Sequence, residues 1–214
     1  MKFEKIFGEQ ASSLVIGIGT GKTVTSIIEN YFSEDFVKKH KFVPSSLDSE
    51  TLLKKFDATV LSLFSAEALD IYVDSADFVL PSKKWAIKGY GGALFKEKIC
   101  YLKAKKAILV VDSKKVVDKF DNLQIPVEVH PLALGLVTRY LNSRNLPFSV
   151  RQTSAGKHGY AITENCNLIV DVKMETFDTS SVMEIQQLVG VICTGFFYEQ
   201  ETRIYVFDKD EVYE

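Results

Sequence analysis

The stretch Ile71–Lys98, IYVDSADFVLPSKKWAIKGYGGALFKEK, decides how the whole chain is read. It opens on an apolar run, Ile71-Tyr72-Val73, which reads as the end of a buried strand. Asp74 and Asp77 follow, with only Ser75 and Ala76 between them. A loop through Pro81 and a second apolar patch, Trp85-Ala86-Ile87, lead to Lys88 and then Gly89-Tyr90-Gly91-Gly92. An amphipathic segment beginning near Ala93 carries Glu97 in its first turns. Glycines let a backbone approach a ligand closely and present N–H groups to anions, and a lysine beside them adds a full positive charge. A carboxylate near a C–H next to a carbonyl can act as a base. The set suits proton abstraction beside a carbonyl, with the enediolate held by fixed donors. The plainer alternative is a solvated turn after a strand. Glycine-rich turns rarely need acids on both flanks, which favours a site.

N-terminal to this stretch, residues 1–12 suggest a short helix, and Ser13–Ile18 (SLVIGI) a buried parallel strand. Gly17-Ile18-Gly19-Thr20-Gly21-Lys22-Thr23 follows, and then a helix over about Val24–Phe32. Strand, glycine loop and helix point backbone N–H groups and a helix N-terminus at an anion. Thr20 and Thr23 add hydroxyls, and Lys22 adds charge. A P-loop would need glycine where Ile16 stands, and the glycine spacing is not that of a dinucleotide fingerprint. A general phosphate cradle remains, beside the alternative of a tight turn with no ligand.

Further strands are expected at Lys41–Val43, Ala58–Phe64 and Ala107–Val111, with a helix capped by Asp48 or Ser49 and running to Phe56. Strands alternating with helices imply an α/β doubly wound sheet. Ligands on such sheets bind beyond the carboxyl ends of the strands. The Gly17 loop, the Pro44-Ser45-Ser46 loop, Asp74 with Asp77, and Asp112–Lys115 each directly follow a strand, so all fall at one rim. From Pro126 the order becomes strand Val127–Val129, helix Pro131–Asn142, strand Phe148–Gln152, strand Leu168–Met174, helix Thr179–Leu188 and strand Val191–Phe197. That is the β-α-β-β-α-β order of ferredoxin-like modules. The expected division is a catalytic domain over 1–125 plus 199–214 and a small domain over 126–198, with Arg203–Phe207 returning as a strand to the first.

The chain has 214 residues, 46% hydrophobic and 25% charged, with a formal net charge of −2. That balance suits a globular protein and offers no electrostatic case for nucleic acid or an anionic membrane. No apolar run approaches the roughly 20 residues that cross a bilayer. The N-terminus, MKFEKIFGEQ, lacks the apolar core of a secretory signal. Cys100, Cys166 and Cys193 read as reduced, buried thiols of a cytoplasmic protein, and Lys103–Lys106 as a solvated helix face. His40, His130 and His158 have no metal-ligand spacing, so no metal is expected.

The motifs resemble those of type A ribose-5-phosphate isomerases over nearly the whole chain. DSAD, KGYGGAL and KEK are similar to the family's DGADE, KGGGGAL and REK, and GIGTGKT to GIGTGST. Pro44-Ser45-Ser46, Asp112-Ser113-Lys114-Lys115, Pro126-Val127-Glu128-Val129 and Thr163-Glu164-Asn165-Cys166-Asn167 extend the likeness. The resemblance implies a Rossmann-like domain carrying a smaller ferredoxin-like α+β domain. It also implies cofactor-free interconversion of ribose 5-phosphate and ribulose 5-phosphate in the non-oxidative pentose phosphate pathway. Glu97 would be the base between C1 and C2. Lys88 and the amides of Gly89, Tyr90 and Gly91 would stabilise the enediolate, while Asp74 and Asp77 would hold hydroxyls and assist ring opening. Thr20, Gly21, Lys22, Thr23, Ser45, Ser46, Ser75, Ala76 and Lys115 would complete the substrate site, with Lys114 competing with Lys115. A dimer or tetramer is implied as well. Lys22, Ser75, Phe78, Tyr90 and Phe95 depart from the family pattern. They leave open a weak or inactive phosphosugar-binding sensor, and φ > 0 at Tyr90 would strain the loop.

Overall fold

A computed structural model describes Phe7 and residues 12–153 and 158–214. The expected helix over residues 1–12 therefore lies outside the described residues, Phe7 and Ser12 apart. Seven strands form the main sheet: β1 (Val15–Ile18), β2 (Lys41–Pro44), β3 (Thr59–Val60), β4 (Ile71–Asp74), β7 (Ala107–Val111), β13 (Thr202–Val206) and β14 (Glu211–Tyr213). Their order is β14-β13-β7-β4-β1-β2-β3, parallel except for β14. The strands are apolar runs because both faces are covered. Ile16, Ile18, Val73, Ile108 and Val110 face a cluster with Val24, Ile27, Ile28 and Leu53, from helices α1 (Lys22–Tyr31) and α3 (Leu47–Lys55), and with Val37 from α2 (Glu34–Lys39). Tyr72, Ala107, Leu109 and Val111 face the opposite cluster, with Leu94, Cys100 and Tyr101 of α4 (Leu94–Lys103).

A second, antiparallel sheet of order β11-β8-β10-β9 holds β8 (Leu123–Val129), β9 (Phe148–Val150), β10 (Leu168–Met174) and β11 (Val191–Thr194). Helices α5 (Leu134–Ser143) and α6 (Thr179–Gln186) pack on it through Val137, Leu141, Val182 and Ile185. The order β-α-β-β-α-β is that of a ferredoxin-like unit. A third sheet, β12-β6-β5, joins β5 (Phe78–Leu80), β6 (Trp85–Ile87) and β12 (Phe196–Phe197) between the other two.

Several elements differ from the sequence expectation. The strand expected over 58–64 shrinks to Thr59–Val60: its one partner among the described residues, β2, is four residues long, and the chain turns at Ser62, leaving Phe64 97% exposed. Helix α3 is capped by Ser46, not by Asp48 or Ser49; Ser46 and Ser49 exchange side-chain-to-backbone bonds in a capping box. The run Val191–Phe197 breaks at Gly195, whose N–H donates to the Pro126 carbonyl at 2.7 Å and whose carbonyl accepts the Lys88 N–H at 2.9 Å. A Cβ there would lie 2.2 Å from the Lys88 oxygen, so the crossing between sheets needs glycine. Cys166 is exposed, at φ 61° in a tight turn, whereas Cys100 and Cys193 are buried. Lys103 is no solvated side chain: its Nζ donates to the carbonyls of Leu63 at 3.0 Å and Ala66 at 2.6 Å, closing the turn before β4.

Candidate active site

From β1 the chain winds to β2 and β3 on one side, then returns as β4 on the other. The switch point thus lies between the carboxyl ends of β1 and β4, where such sheets bind ligands. There the Gly19 N–H donates to the Val73 carbonyl at 2.8 Å. A Cβ on Gly19 would fall 1.9 Å from Asp74 Cγ, so the glycine makes room for the carboxylate. Asp74 is fully buried. Its Oδ1 accepts the N–H groups of Ser75 at 2.7 Å and Thr20 at 3.3 Å. Its Oδ2 accepts the Tyr72 hydroxyl and lies 2.8 Å from Lys88 Nζ.

Lys88 follows β6 and is buried. Its Nζ donates to the Ser75 carbonyl at 2.7 Å and stands 3.1 Å from Glu97 Oε2. Burial alone would lower its pKa; Asp74 and Glu97 outweigh burial and hold the ammonium well above the ordinary lysine value. Glu97, in the first turn of α4, is 5% exposed. Burial pushes its carboxyl up to about 7, with Lys88 opposing and Asp74 reinforcing the rise. Its Oε2 lies within ion-pair distance of Lys88, yet no well-aligned hydrogen bond satisfies it. A buried carboxylate oxygen without a donor is expensive. A group pushed to about 7 can accept and return a proton near neutrality.

Glu97 and Lys88 open into a cavity of about 220 Å³, also lined by Thr20, Gly21, Lys22, Thr23, Ser75, Ala76, Asp77, Gly89, Gly91 and Lys115. Gly21 caps α1 at φ 107° without a side-chain bond, so the first-turn N–H groups of that helix remain available beside Lys22. Lys115 enters from the turn after β7, its Nζ 3.2 Å from Ser75 Oγ, and lines the cavity where Lys114 does not. Asp77 accepts the Tyr90 N–H at 3.0 Å; burial raises its pKa against that bond.

Ser45, Ser46 and Tyr90 do not line this cavity, though Ser46 and Tyr90 border an adjoining one of about 740 Å³ that shares Thr20 and Gly91 with it. Ser45 and Ser46 are buried against Thr20, whose Oγ1 lies 3.2 Å from Ser45 Oγ and donates to Ser46 Oγ at 2.8 Å, so they brace the glycine loop from behind. Tyr90 turns outward, its hydroxyl donating to the Gln124 carbonyl at 3.1 Å and its ring edge-on to Phe78 at 6.1 Å. Positive φ falls on Gly89 and Gly92 instead, so Tyr90 carries no left-handed strain.

The family model for ribose 5-phosphate isomerase A (phosphoriboisomerase A) matches residues 41–211. The chain belongs to the ribose 5-phosphate isomerase A family. A ribose-5-phosphate isomerase A of Blochmanniella pennsylvanica is 39% identical over 205 residues, covering 94% of this chain and 88% of that one. One from Borreliella afzelii is 35% identical over 211 residues, covering 95% and 92%. Among solved structures, ribose 5-phosphate isomerase A from Methanocaldococcus jannaschii superposes with a TM-score of 0.85 at 28% identity, covering 98% of this chain and 94% of that one. A D-ribose-5-phosphate isomerase in complex with phospho-erythronic acid gives 0.84 at 29% identity, covering 98% and 93%.

Of the five departures from the isomerase A motifs, only Lys22 and Ser75 line the cavity. Phe78 and Tyr90 pack against one another, and Phe95 packs against the core on the α4 side of the sheet. Three supports escaped the sequence reading. Arg151, directly after β9, donates to the carbonyls of Gly89 at 2.9 Å and Tyr90 at 3.0 Å and is itself held by Asp171. Lys98 points away from its neighbour Glu97, onto Glu199 at 2.9 Å and over the Phe197 ring at 4.2 Å, fastening α4 to β12. Glu128 reaches the N-terminus of α4. Lys98 and Glu128 lie within motifs quoted above, but the role of each of the three depends on partners far off in sequence.

Proposed function

We propose that this chain interconverts ribose 5-phosphate and ribulose 5-phosphate by proton transfer through an enediolate, with Glu97 as the base. The observation that carries the assignment is the buried Glu97 carboxylate, with an unsatisfied Oε2 3.1 Å from the Lys88 ammonium, opening into the cavity; burial pushes its pKa up to about 7. Glu97 takes the C2 proton of the open-chain aldose and returns it to C1, while the hydroxyl proton moves from O2 to O1. The Lys88 ammonium, 3.1 Å from Glu97 Oε2, exchanges that unaligned contact for the substrate oxyanion as charge develops there. Asp74 keeps Lys88 in place, and Asp77, with its raised pKa, is suited to passing a proton during ring opening. The α1 N-terminus, Lys22, Thr23 and Lys115 supply the positive end for the phosphate.

The division into 1–125 plus 199–214 and 126–198 is part of this reading; the separate four-stranded sheet supports it, although β8 begins at Leu123 and the apolar cluster under that sheet also takes in Leu80, Ile87 and Phe120. So are a homo-oligomeric state and a cytoplasmic location. Among the described residues, no helix is long and apolar enough to cross a membrane. The test is isomerisation of ribose 5-phosphate by wild type and Glu97→Gln. Turnover that drops by roughly two to four orders of magnitude in the variant supports the reading. Turnover indifferent to the change removes Glu97 from the role. Calorimetric binding with no wild-type turnover replaces the enzyme with a phosphosugar-binding protein.

A further inference from the structure

One fully buried carboxylate has no part in the chemistry above. Glu128, on β8, is 0% exposed. Its donors among the described residues are all neutral: Thr163 Oγ1 at 2.9 Å, Asn167 Nδ2 at 2.9 Å and Asn165 Nδ2 at 3.4 Å reach Oε1, and the Phe95 N–H reaches Oε2 at 3.2 Å. A buried carboxylate without a cation is costly, so its retention calls for a reason beyond packing.

We propose that Glu128 is a positioning residue for the base: from the small sheet it caps the helix that carries Glu97 and so sets where that carboxylate stands. Helix α4 begins at Leu94, and its own N-cap, Ala93, offers no side chain to the first-turn N–H groups. Glu128 supplies the missing acceptor, and its charge suits the positive end of the helix. Phe95 lies two residues before Glu97, whose own N–H already donates to the Ala93 carbonyl at 3.1 Å. The Thr163–Asn167 turn is folded around the carboxylate. Thr163 Oγ1 donates to Glu128 while accepting the N–H groups of Asn165 at 3.3 Å and Asn167 at 3.1 Å. The same turn grips α4 again through Glu164, which accepts Lys96 Nζ at 2.7 Å and the Leu47 N–H at 3.0 Å. The first turn of the base-bearing helix is therefore held from outside at two consecutive residues, Phe95 and Lys96.

The inference rests on Glu97 being the base. The experiment measures kcat and KM for ribose 5-phosphate in Glu128→Gln and Thr163→Val, with Glu97→Gln alongside, and amide hydrogen exchange at Phe95. Glutamine offers one acceptor oxygen where two are used, so it cannot serve Phe95 and the Thr163–Asn167 turn together. The expected result is a kcat roughly ten- to a hundredfold lower in Glu128→Gln, a smaller loss in Thr163→Val, an unchanged KM and faster exchange at Phe95. A folded Glu128→Gln with wild-type kcat, or one altered in KM alone, overturns the proposal. If Glu128→Gln does not fold, wild-type kcat in Thr163→Val overturns it. If Glu97→Gln keeps wild-type turnover, the base assignment falls instead. Exchange at Phe95 then judges the cap alone, and an unaltered rate in Glu128→Gln overturns it.

Discussion

Replacing Glu97 with glutamine should remove turnover and, at the same time, remove a pH-dependent weakness of the fold. The carboxyl rises from 4.5 to about 7 because burial disfavours its charge more than Lys88 favours it. At about 1.4 kcal/mol per pH unit, ionising it inside the folded protein costs roughly 3 kcal/mol of stability. The sign follows from proton binding: between pH 4.5 and 7 the folded state holds a proton that the unfolded chain has released, so stability falls as pH rises through this window. Below pH 4.5 both states are protonated and the penalty vanishes; above about 7 it is complete. Glutamine cannot ionise, so the variant lacks this part of the pH dependence. Urea unfolding at pH 5 and pH 8 tests it. Between these two values, wild type should lose up to roughly 3 kcal/mol more than the variant does. The wild-type rate should meanwhile rise with pH to a plateau, with a midpoint near 7 for kcat/KM. Equal pH dependence of unfolding in the two proteins, together with a rate midpoint near 4.5, would refute the argument that burial prepares this base.

Three further variants probe the surrounding geometry. Lys88→Met deletes the charge 3.1 Å from Glu97 Oε2, so the pH–rate midpoint of whatever turnover survives should move above 7; an unmoved midpoint would mean the ammonium is not coupled to the base. Gly19→Ala places a methyl 1.9 Å from Asp74 Cγ and should cost about 1–3 kcal/mol by urea unfolding, with kcat/KM falling as Asp74 shifts; an unchanged unfolding midpoint would show that the strand ends can spread without loss. Tyr90→Phe removes the hydroxyl bond to the Gln124 carbonyl and should cost about 0.5–1 kcal/mol, seen as a lower unfolding midpoint and faster amide exchange at Gly91 and Gly92; unchanged exchange would show that Arg151 and Asp77 hold the loop without it.

Local chemistry made much of this molecule legible from sequence. Short apolar runs such as Ala107–Val111 read as strands buried on both faces, and each is followed by a polar or glycine-rich turn. In a parallel sheet this alone gathers Thr20, Asp74, Asp77 and Lys115 at one rim. Glycine at 19 and 89, aspartate at 74 and lysine at 88 carry their meaning in their identity, because few other residues could stand there. What depended on distant partners could not be read. The expected strand over 58–64 failed because its length is set by β2, and Phe64 stayed in water. The run Val191–Phe197 divided because Gly195 meets Lys88 and Pro126. Tyr90 stands outside the Lys88 cavity, with its ring against Phe78 and its hydroxyl on the Gln124 carbonyl, both far off in sequence. The pKa of Glu97, the ammonium state of Lys88 and the cap from Glu128 belong to the same class. Sequence alone determines which groups are available, since that is covalent. Only the tertiary structure decides how much water each keeps and which charge stands three ångströms away, and those two quantities make an ordinary glutamate a base at neutral pH.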